Sequence, residues 1–290
     1  MGLRIIEFSN ATTIPSLNLA LDHALFLSHK SPDELWIRYW INQKSVILGK
    51  GQLLAEEVDT TVCKEKKVGI YRRISGGGAV YHDLGNLNVS MIFNVGLLKT
   101  KSIPSTIALI MQKVLSSFEE MFPSYRFDVK GTSIFMGDRK ISGSASYKKG
   151  TKILFHFTIL VNADLATLNE VLISREPNPK SSRKSRYAPT VNLKMFDLNT
   201  WRLHFLEKIL GFVPSPPSLS WNKENGDIHI PVEENGNVLS IIPDKTTERL
   251  AHFLDHYLYK NQEWIQEGRW AKIYNAVMRK ADPELGYNPF

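Results

Sequence analysis

Three consecutive glycines at residues 76–78 restrict the fold of this chain more than any other feature of its sequence. Glycine has no Cβ atom, so three in succession let the backbone turn sharply and press its N–H groups against a bound molecule. The preceding basic pair, Arg72 and Arg73, could add charge beside a phosphate or a carboxylate. The spacing fits neither the phosphate-loop pattern nor the dinucleotide fingerprint. The stretch predicts either an anion-binding loop or a plain turn between two strands.

The length and charge of the chain narrow its class. Its 290 residues suffice for one large domain, or for one domain with a smaller appendage. The net charge of +7 favours acidic partners, but the charge is scattered, so no nucleic acid is expected as a partner. The single cysteine, Cys63, excludes an internal disulfide and a multi-cysteine metal site. No apolar run approaches the roughly 18 residues that span a membrane, and no secretory signal is recognisable, so we expect a cytoplasmic protein without a membrane partner.

The spacing of apolar residues predicts the elements around the glycines. Residues 16–29 have helical spacing and predict an amphipathic helix. Residues 35–41 and 46–48 are typical of a pair of strands joined by a short turn. Apolar and polar residues alternate over 87–95, which predicts a half-buried strand, and a long helix follows from Pro104. Because strands and helices mix without strict alternation, the predicted class is α+β.

Two further strands are predicted downstream, over residues 140–147 and 152–161. Alternation places Lys140, Ser142 and Ser144 on one face of the first strand. In the second strand an apolar face is backed by a polar face that carries His156. If these two strands pair, Lys140 and His156 line one cleft.

Four segments in this order resemble the lipoate–protein ligase A family, within the wider biotin/lipoate attachment superfamily. They are residues 18–22 (N-L-A-L-D), 72–86 (R-R-I-S-G-G-G-A-V-Y-H-D-L-G-N), 138–145 (D-R-K-I-S-G-S-A) and 156–165 (H-F-T-I-L-V-N-A-D-L). The resemblance covers roughly residues 15–193. It implies a central mixed β-sheet flanked by helices, a biotin/lipoate ligase-like catalytic domain. Within that domain we expect residues 1–213 to form the core and residues 214–290 to be an extension that completes it.

The resemblance also implies a reaction. Lipoate would be activated with ATP and Mg²⁺ to lipoyl-AMP, a mixed anhydride of the lipoyl carboxylate and AMP. The acyl group would then pass to the ε-amine of one lysine on a lipoyl domain. The implied acceptors are the E2 subunits of 2-oxoacid dehydrogenases or the H protein of glycine cleavage.

A mixed anhydride needs its phosphate charge offset, its carbonyl polarised and water excluded. Lys140 is the predicted catalytic residue, as a cation in an exposed cleft near the anhydride. His156 is predicted either to contact the ligand or to be a hydrogen-bonded structural histidine. No residue is assigned as a metal ligand. The residues expected to bind lipoyl-AMP are Arg72, Arg73, Ser75, Gly76, Gly77, Gly78, Val80, His82, Asn86, Ser142, Gly143, Ser144, Ala145 and His156.

The sequence departs from the family pattern in two places. Residues 130–133 read K-G-T-S where ligases commonly have G-R-N-D, whose Asn and Asp contact the adenylate and metal. Only 20 residues follow the segment 261–270, which resembles the end of the family's catalytic domain. The chain is therefore expected to lack the C-terminal accessory domain and to use a separate accessory protein, or to transfer lipoyl from ready-made lipoyl-AMP.

Two other classes remain open: an octanoyl or biotin attachment enzyme, and a non-catalytic binder of lipoyl domains. Octanoyltransferase relatives use an acyl-enzyme on cysteine, but Cys63 lies upstream of the glycines and is predicted to be an inert, partly buried thiol. A basic loop over residues 174–188 is predicted to steer an acidic acceptor, with the charges Lys180, Arg183, Lys184 and Arg186.

Overall fold

The computed structural model describes residues 3–9, 12–100, 102–173, 184–268 and 270–285. The described strands are β1 (Arg4–Phe8), β2 (Glu34–Trp40), β3 (Ser45–Leu48), β4 (Gly69–Arg72), β5 (Val80–His82), β6 (Asn86–Asn94), β7 (Phe127–Lys130), β8 (Ser133–Met136), β9 (Arg139–Lys149), β10 (Lys152–Leu160), β11 (Ser220–Trp221), β12 (Ile228–His229), β13 (Glu233–Asn235) and β14 (Val238–Ile241). The described helices are α1 (Pro15–Ser28), α2 (Leu54–Glu57), α3 (Thr60–Glu65), α4 (Ile103–Met121), α5 (Leu165–Val171), α6 (Leu198–Leu210), α7 (Lys245–Leu254), α8 (Gln262–Glu267) and α9 (Trp270–Leu285), with a π-helical turn at Asp255–Tyr259. None of these helices combines the length and the apolar character needed to cross a lipid bilayer.

Nine strands form one mixed sheet in the spatial order β13-β14-β1-β2-β6-β10-β9-β8-β7. β1 pairs in parallel with β2 and β14, and the other neighbours in this sheet are antiparallel. A second sheet has the order β4-β3-β5, and β11 pairs with β12. The prediction of an α+β chain with a mixed central sheet flanked by helices is confirmed.

Helices cover both faces of the main sheet. On one face, α4 and α6 meet the sheet through a stacked aromatic group in which the rings of Phe118 and Trp201 lie 5.8 Å apart. Each such buried side chain stabilises the fold by roughly 1.5–3 kcal/mol. On the other face, the almost fully buried α1 packs against α7. α4 begins at a capping box between Ser102 and Ser105, with Pro104 in its first turn, as the sequence predicts.

Two predictions about the strands are wrong. β2 and β3 are both strands, but β3 pairs with β4 and β5 instead of with β2. The alternation over 87–95 predicts a half-buried strand, whereas β6 is buried on both faces. The reason is that helix α1 packs over the face of β6 that carries Asn88 and Ser90. These polar side chains are therefore buried beside the candidate site.

The strands over 140–147 and 152–161 do pair, but β9 contains a bulge. Ile141 is the extra residue, since Lys140 and Ser142 face consecutive residues of β8. On β10, His156 lies opposite Ala145, so these two side chains share one face of the sheet. Simple alternation predicts that Lys140 and Ser142 share a face. The bulge instead brings Lys140 to the face of Ala145 and His156, and all three line one cavity.

Candidate active site

A cavity of about 670 Å³ lies on the face of the main sheet that α1 covers. One end is buried among α1, β2 and β3, where it is lined by Leu19, Trp40 and Ile47. The other end reaches the β7–β8 hairpin, where Lys130 is exposed. Pockets of about 300–1,000 Å³ are typical of small-molecule and cofactor sites. The space is therefore large enough for a ligand with both an acyl chain and a charged group.

Residues 73–79 form the loop between β4 and β5, and the side chain of Arg73 stabilises this loop. The buried Arg73 guanidinium donates hydrogen bonds to the backbone oxygens of Gly76 (2.6 Å) and Gly78 (2.8 Å). Gly77 has a φ of +86°, which side chains rarely allow. A Cβ atom on Gly49 would lie 2.0 Å from the Gly77 carbonyl oxygen. Gly77 and Gly49 are therefore required for the shape of this loop, which forms one wall of the cavity.

Arg72 does not line the cavity, which corrects the prediction that it anchors the ligand. Its buried guanidinium donates hydrogen bonds to the backbone oxygens of Gly49, Gln52 and Ile265, each at 2.8 Å. Burial lowers the pKa of Arg72 to about 10, so it remains a cation at neutral pH. Its role is structural, because it joins the end of β4 to the C-terminal end of α8.

A chain of buried polar groups runs beneath the loop from Asp22 to Arg73. Asp22 forms a 2.7 Å ion pair with Arg38, and its other oxygen lies 3.8 Å from Nδ1 of His156. Nε2 of His156 is 2.7 Å from Ser75 Oγ, which accepts a hydrogen bond from Arg73 Nε at 2.9 Å. Burial raises the pKa of Asp22, but His156 and Arg38 outweigh this effect and keep it below its usual value. Burial lowers the pKa of His156 despite Asp22, so the imidazole is neutral and this network fixes the start of the loop.

Lys140 lies inside the cavity and is half-buried, which corrects the expectation of an exposed-cleft cation. Its ammonium lies 3.1 Å from the position that a Cβ atom on Gly143 would take, so it folds back over the strand. Burial and the nearby charge of Arg186 lower the pKa of Lys140 to about 8. A lysine with such a pKa is still mostly charged at pH 7 and gains from a neighbouring anion.

A smaller chamber of about 100 Å³ adjoins the cavity, and Lys140 lines both spaces. Three buried side-chain oxygens of the chamber walls have no hydrogen-bond partner among the described residues: Glu57 Oε2, Asn86 Oδ1 and Ser142 Oγ. Buried polar groups are normally paired, so these atoms suit a polar ligand. Lys140 therefore stands at the junction between an apolar-ended cavity and a polar chamber.

Residues 184–190 form a strap beside both spaces. Ser185 Oγ accepts hydrogen bonds from the backbone N–H of Ala79 (2.7 Å) and from Gln52 Nε2 (3.1 Å). The backbone N–H of Lys140 donates to the Pro189 oxygen at 2.7 Å. The strap thus connects the glycine loop to the lysine strand, and it adds Arg186 to the lining.

The described lining of the cavity is cationic. It contains no aspartate or glutamate among the described residues, and its positively charged members are Arg73, Lys130, Lys140, Lys184 and Arg186. Mg²⁺ is usually held by carboxylates together with substrate phosphates. The smaller chamber offers one carboxylate, Glu57, whose Oε1 already accepts a hydrogen bond from the Ser185 N–H. The described residues therefore fit an anionic ligand but do not fit a Mg²⁺ ion held by protein carboxylates.

Most of the predicted site residues meet around these two spaces. The large cavity is lined by Arg73, Gly77, Gly78, Val80, His82, Lys140, Gly143, Ser144, Ala145 and His156. Asn86 and Ser142 line the smaller chamber. Gly76 lines a separate outer cleft with Lys50, and Ser75 is buried beneath the loop. The ligand roles of these residues remain predictions.

Sequence reasoning missed the groups that support or complete the site. Asp22 and Arg38 carry the buried network, and Trp40 and Asn88 line the buried end of the cavity. The one available signal was an aspartate directly after the apolar residues 19–21, because a charge in a buried helix needs a partner.

Two predicted groups lie away from the site or outside the described residues. Cys63 is buried beneath the small sheet, and burial together with Asp59 raises the pKa of its thiol to about 11. It lines neither space. Of the predicted docking charges, Lys180 and Arg183 lie outside the described residues, whereas Lys184 and Arg186 line the cavity.

A family model for the lipoyl protein ligase A/B catalytic domain matches residues 14–200. A putative lipoate-protein ligase A from Saccharomyces cerevisiae is 34% identical over 172 residues, which are 58% of this chain and 40% of the yeast protein. This chain thus spans less than half the length of that relative.

Two solved structures resemble the fold at 25% sequence identity. One is a bi-partite lipoate protein ligase with its E2 lipoyl domain from Thermoplasma acidophilum; its TM-score is 0.67, over 92% of this chain and 96% of that chain. The other is a lipoate-protein ligase A bound with ATP; its TM-score is 0.68, over 92% of this chain and 99% of that chain.

Proposed function

The chain belongs to the lipoyl protein ligase A/B catalytic-domain family, and on this premise we propose that it attaches lipoate to the ε-amine of a specific lysine on lipoyl domains, through lipoyl-AMP. The observation that carries the proposal is the position of Lys140, at the junction of an apolar-ended cavity and a polar chamber. A mixed anhydride likewise has an apolar part and a polar part, since its acyl chain and its nucleotide meet at one reacting carbonyl.

The two spaces suggest how lipoyl-AMP would lie. The acyl chain would extend towards the buried end, against Leu19, Trp40 and Ile47. The nucleotide would extend from Lys140 towards the chamber and place part of itself there, where the oxygens of Asn86 and Ser142 have no partner among the described residues. The anhydride would then lie beside Lys140, enclosed between the glycine loop and the strap.

The proposed reaction needs no protein nucleophile, because adenylation already activates the acid. The ε-amine nitrogen of the acceptor lysine bonds to the acyl carbon, and the bond from that carbon to the phosphate oxygen breaks. AMP leaves with the electron pair, and the amine loses a proton to solvent or to the phosphate. The Lys140 ammonium offsets the negative charge that develops on the departing phosphate. Arg73 and His156 position the loop that excludes water.

The acceptors proposed are lipoyl domains of 2-oxoacid dehydrogenase E2 subunits or the glycine cleavage H protein. The bi-partite archaeal ligase supports a separate accessory protein as a further partner. We also propose that residues 214–290 complete the catalytic domain. In support, β14 lies beside β1 in the main sheet, and Arg72 is bonded to Ile265.

A second candidate is transfer from ready-made lipoyl-AMP without activation of lipoate by ATP. It is favoured by the hairpin residues 130–133, K-G-T-S, which bring Lys130 to the cavity but no carboxylate. The ATP-bound relative favours the complete ligase reaction instead.

Intact-mass analysis of an apo lipoyl domain tests both candidates. The protein is mixed with the domain and with either lipoate and Mg-ATP or synthetic lipoyl-AMP. A mass increase of one lipoyl group with both donors supports the ligase, and an increase with lipoyl-AMP alone supports the transferase. No modification with either donor, with or without an accessory protein, contradicts the proposed function.

A further inference from the structure

We propose that the buried end of the cavity binds an acyl terminus that both accepts and donates a hydrogen bond, and therefore prefers the reduced dithiol form of the lipoyl chain. The ring-closed disulfide would bind less tightly, and a plain octanoyl chain least tightly. This inference rests on the proposed function, which names the acyl group. Beyond that function, it specifies which oxidation state of the lipoyl group the site prefers.

His82 supplies the hydrogen-bond donor. Its Nδ1 lies 3.1 Å from the Nδ2 atom of Asn42, and that amide is oriented by Asn18, which donates to Asn42 Oδ1 at 2.9 Å. Asn42 therefore donates to Nδ1. Burial and the charge of Arg73 lower the pKa of His82 to about 3, so the ring is neutral and its one proton is on Nε2. That N–H has no hydrogen-bond partner among the described residues.

Asn88 supplies the acceptor. Its Nδ2 donates to the Trp40 backbone oxygen at 3.2 Å, which fixes the orientation of the amide. Its Oδ1 is buried and has no partner among the described residues. Asn88 is 1% exposed and lines the cavity, so its oxygen is out of reach of bulk water once a ligand fills the space.

Donor and acceptor lie at the same end of the cavity, because both flank Trp40. The His82 ring packs edge-on against the Trp40 ring, with centroids 5.9 Å apart. Asn88 is the direct partner of Trp40 between β2 and β6. The remaining walls here are apolar, from Leu19 and Ile47. This end therefore combines apolar walls with one hydrogen-bond donor, His82, and one acceptor, Asn88.

The three acyl termini differ in how they meet this pair. A methyl terminus leaves the His82 N–H and the Asn88 oxygen desolvated and unpaired. A disulfide sulfur can accept from His82 but gives Asn88 no donor. In the dithiol, sulfur accepts from His82 and an S–H donates to Asn88, although both bonds are weak. Because an unpaired buried group is costly, we expect about a tenfold advantage of the dithiol over octanoyl, with the disulfide between them.

Calorimetry with non-hydrolysable acyl-sulfamoyl-adenosine analogues tests the inference in the full chain. Octanoyl and dithiol analogues are titrated under argon with a phosphine reductant, and the disulfide analogue is titrated without it. The expected order of affinity is dithiol, disulfide, octanoyl.

The variant Asn88→Leu removes the acceptor while keeping the branched shape of the side chain at Cγ. It should weaken dithiol binding and tighten octanoyl binding, so that the tenfold ratio disappears. Binding of AMP alone serves as the folding control, because the proposed nucleotide chamber is not lined by Asn88. His82→Phe should act in the same direction.

Octanoyl or disulfide binding as tight as dithiol binding would overturn this inference and leave the proposed function standing. A dithiol-to-octanoyl ratio that Asn88→Leu leaves unchanged would also overturn it. If the protein binds no acyl-adenylate analogue at all, the proposed function fails and this inference fails with it.

Discussion

Binding of an anionic acyl-adenylate analogue at pH 8 should be accompanied by proton uptake, and Lys140 should be the group that takes up the proton. In the free protein, burial and Arg186 lower the pKa of Lys140 to about 8. A phosphate-like anion beside the ammonium favours its charged form and would return the pKa towards its ordinary value of 10.5. Ligand binding and protonation are therefore coupled at this residue.

The magnitude follows from the pKa. At pH 8 the free lysine is about half protonated, and with the pKa returned above 10 it is almost fully protonated, so binding takes up about 0.5 proton. At pH 7 the uptake falls to about 0.1 proton, because the free lysine is already mostly charged. His82 adds nothing, since its pKa of about 3 keeps it neutral throughout this range.

The assay is calorimetric titration at pH 8 in two buffers of different ionisation enthalpy. The slope of the observed enthalpy against the ionisation enthalpy gives the number of protons exchanged. Lys140→Met should abolish the uptake. Lys148→Met is the matched control, because Lys148 is exposed on the same strand and lines neither space. A slope of zero in the unmodified protein, or equal slopes with and without Lys140, would refute the reasoning.

Three further substitutions separate structural from ligand-binding roles. Arg72→Met should lower the free energy of unfolding by about 3 kcal/mol or more, because several buried carbonyl groups lose their donor; an unchanged denaturant midpoint would contradict the structural role. Gly77→Val should weaken analogue binding at least tenfold, since its φ of +86° excludes a β-branched residue; undiminished affinity in calorimetry would mean that the loop is only a turn. Cys63→Ala should retain most of the transfer activity, because the buried thiol lines neither space and its pKa of about 11 keeps it protonated; a thioester-linked acyl mass on Cys63 would show the opposite.

The glycine loop was predictable because its constraints are local. Residues 76–78 need no knowledge of the rest of the chain to indicate a tight backbone. The choice between Arg72 and Arg73 was not predictable. Arg72 donates hydrogen bonds to a backbone carbonyl of α8, nearly 200 residues later in the chain. Only Arg73 donates to carbonyls of the glycine loop.

The polar faces were harder to predict for the same reason. In β6, Asn88 and Ser90 have the alternation of an exposed face, but Ser90 donates to the buried Asp22 at 2.5 Å. The bulge at Ile141 depends on the register between β8 and β9, which no local pattern encodes. Contacts between distant segments therefore decide which polar residues are buried and which face the cavity.

The most direct test of the account is the single-turnover rate of lipoyl transfer from lipoyl-AMP to an apo lipoyl domain, with and without Lys140. The Lys140→Ala protein should remain folded and transfer lipoyl about 10²–10³ times more slowly, as expected when one preorganised charge at the reacting group is lost. A Lys140→Ala protein that transfers lipoyl at nearly the original rate would contradict the central role given to this residue.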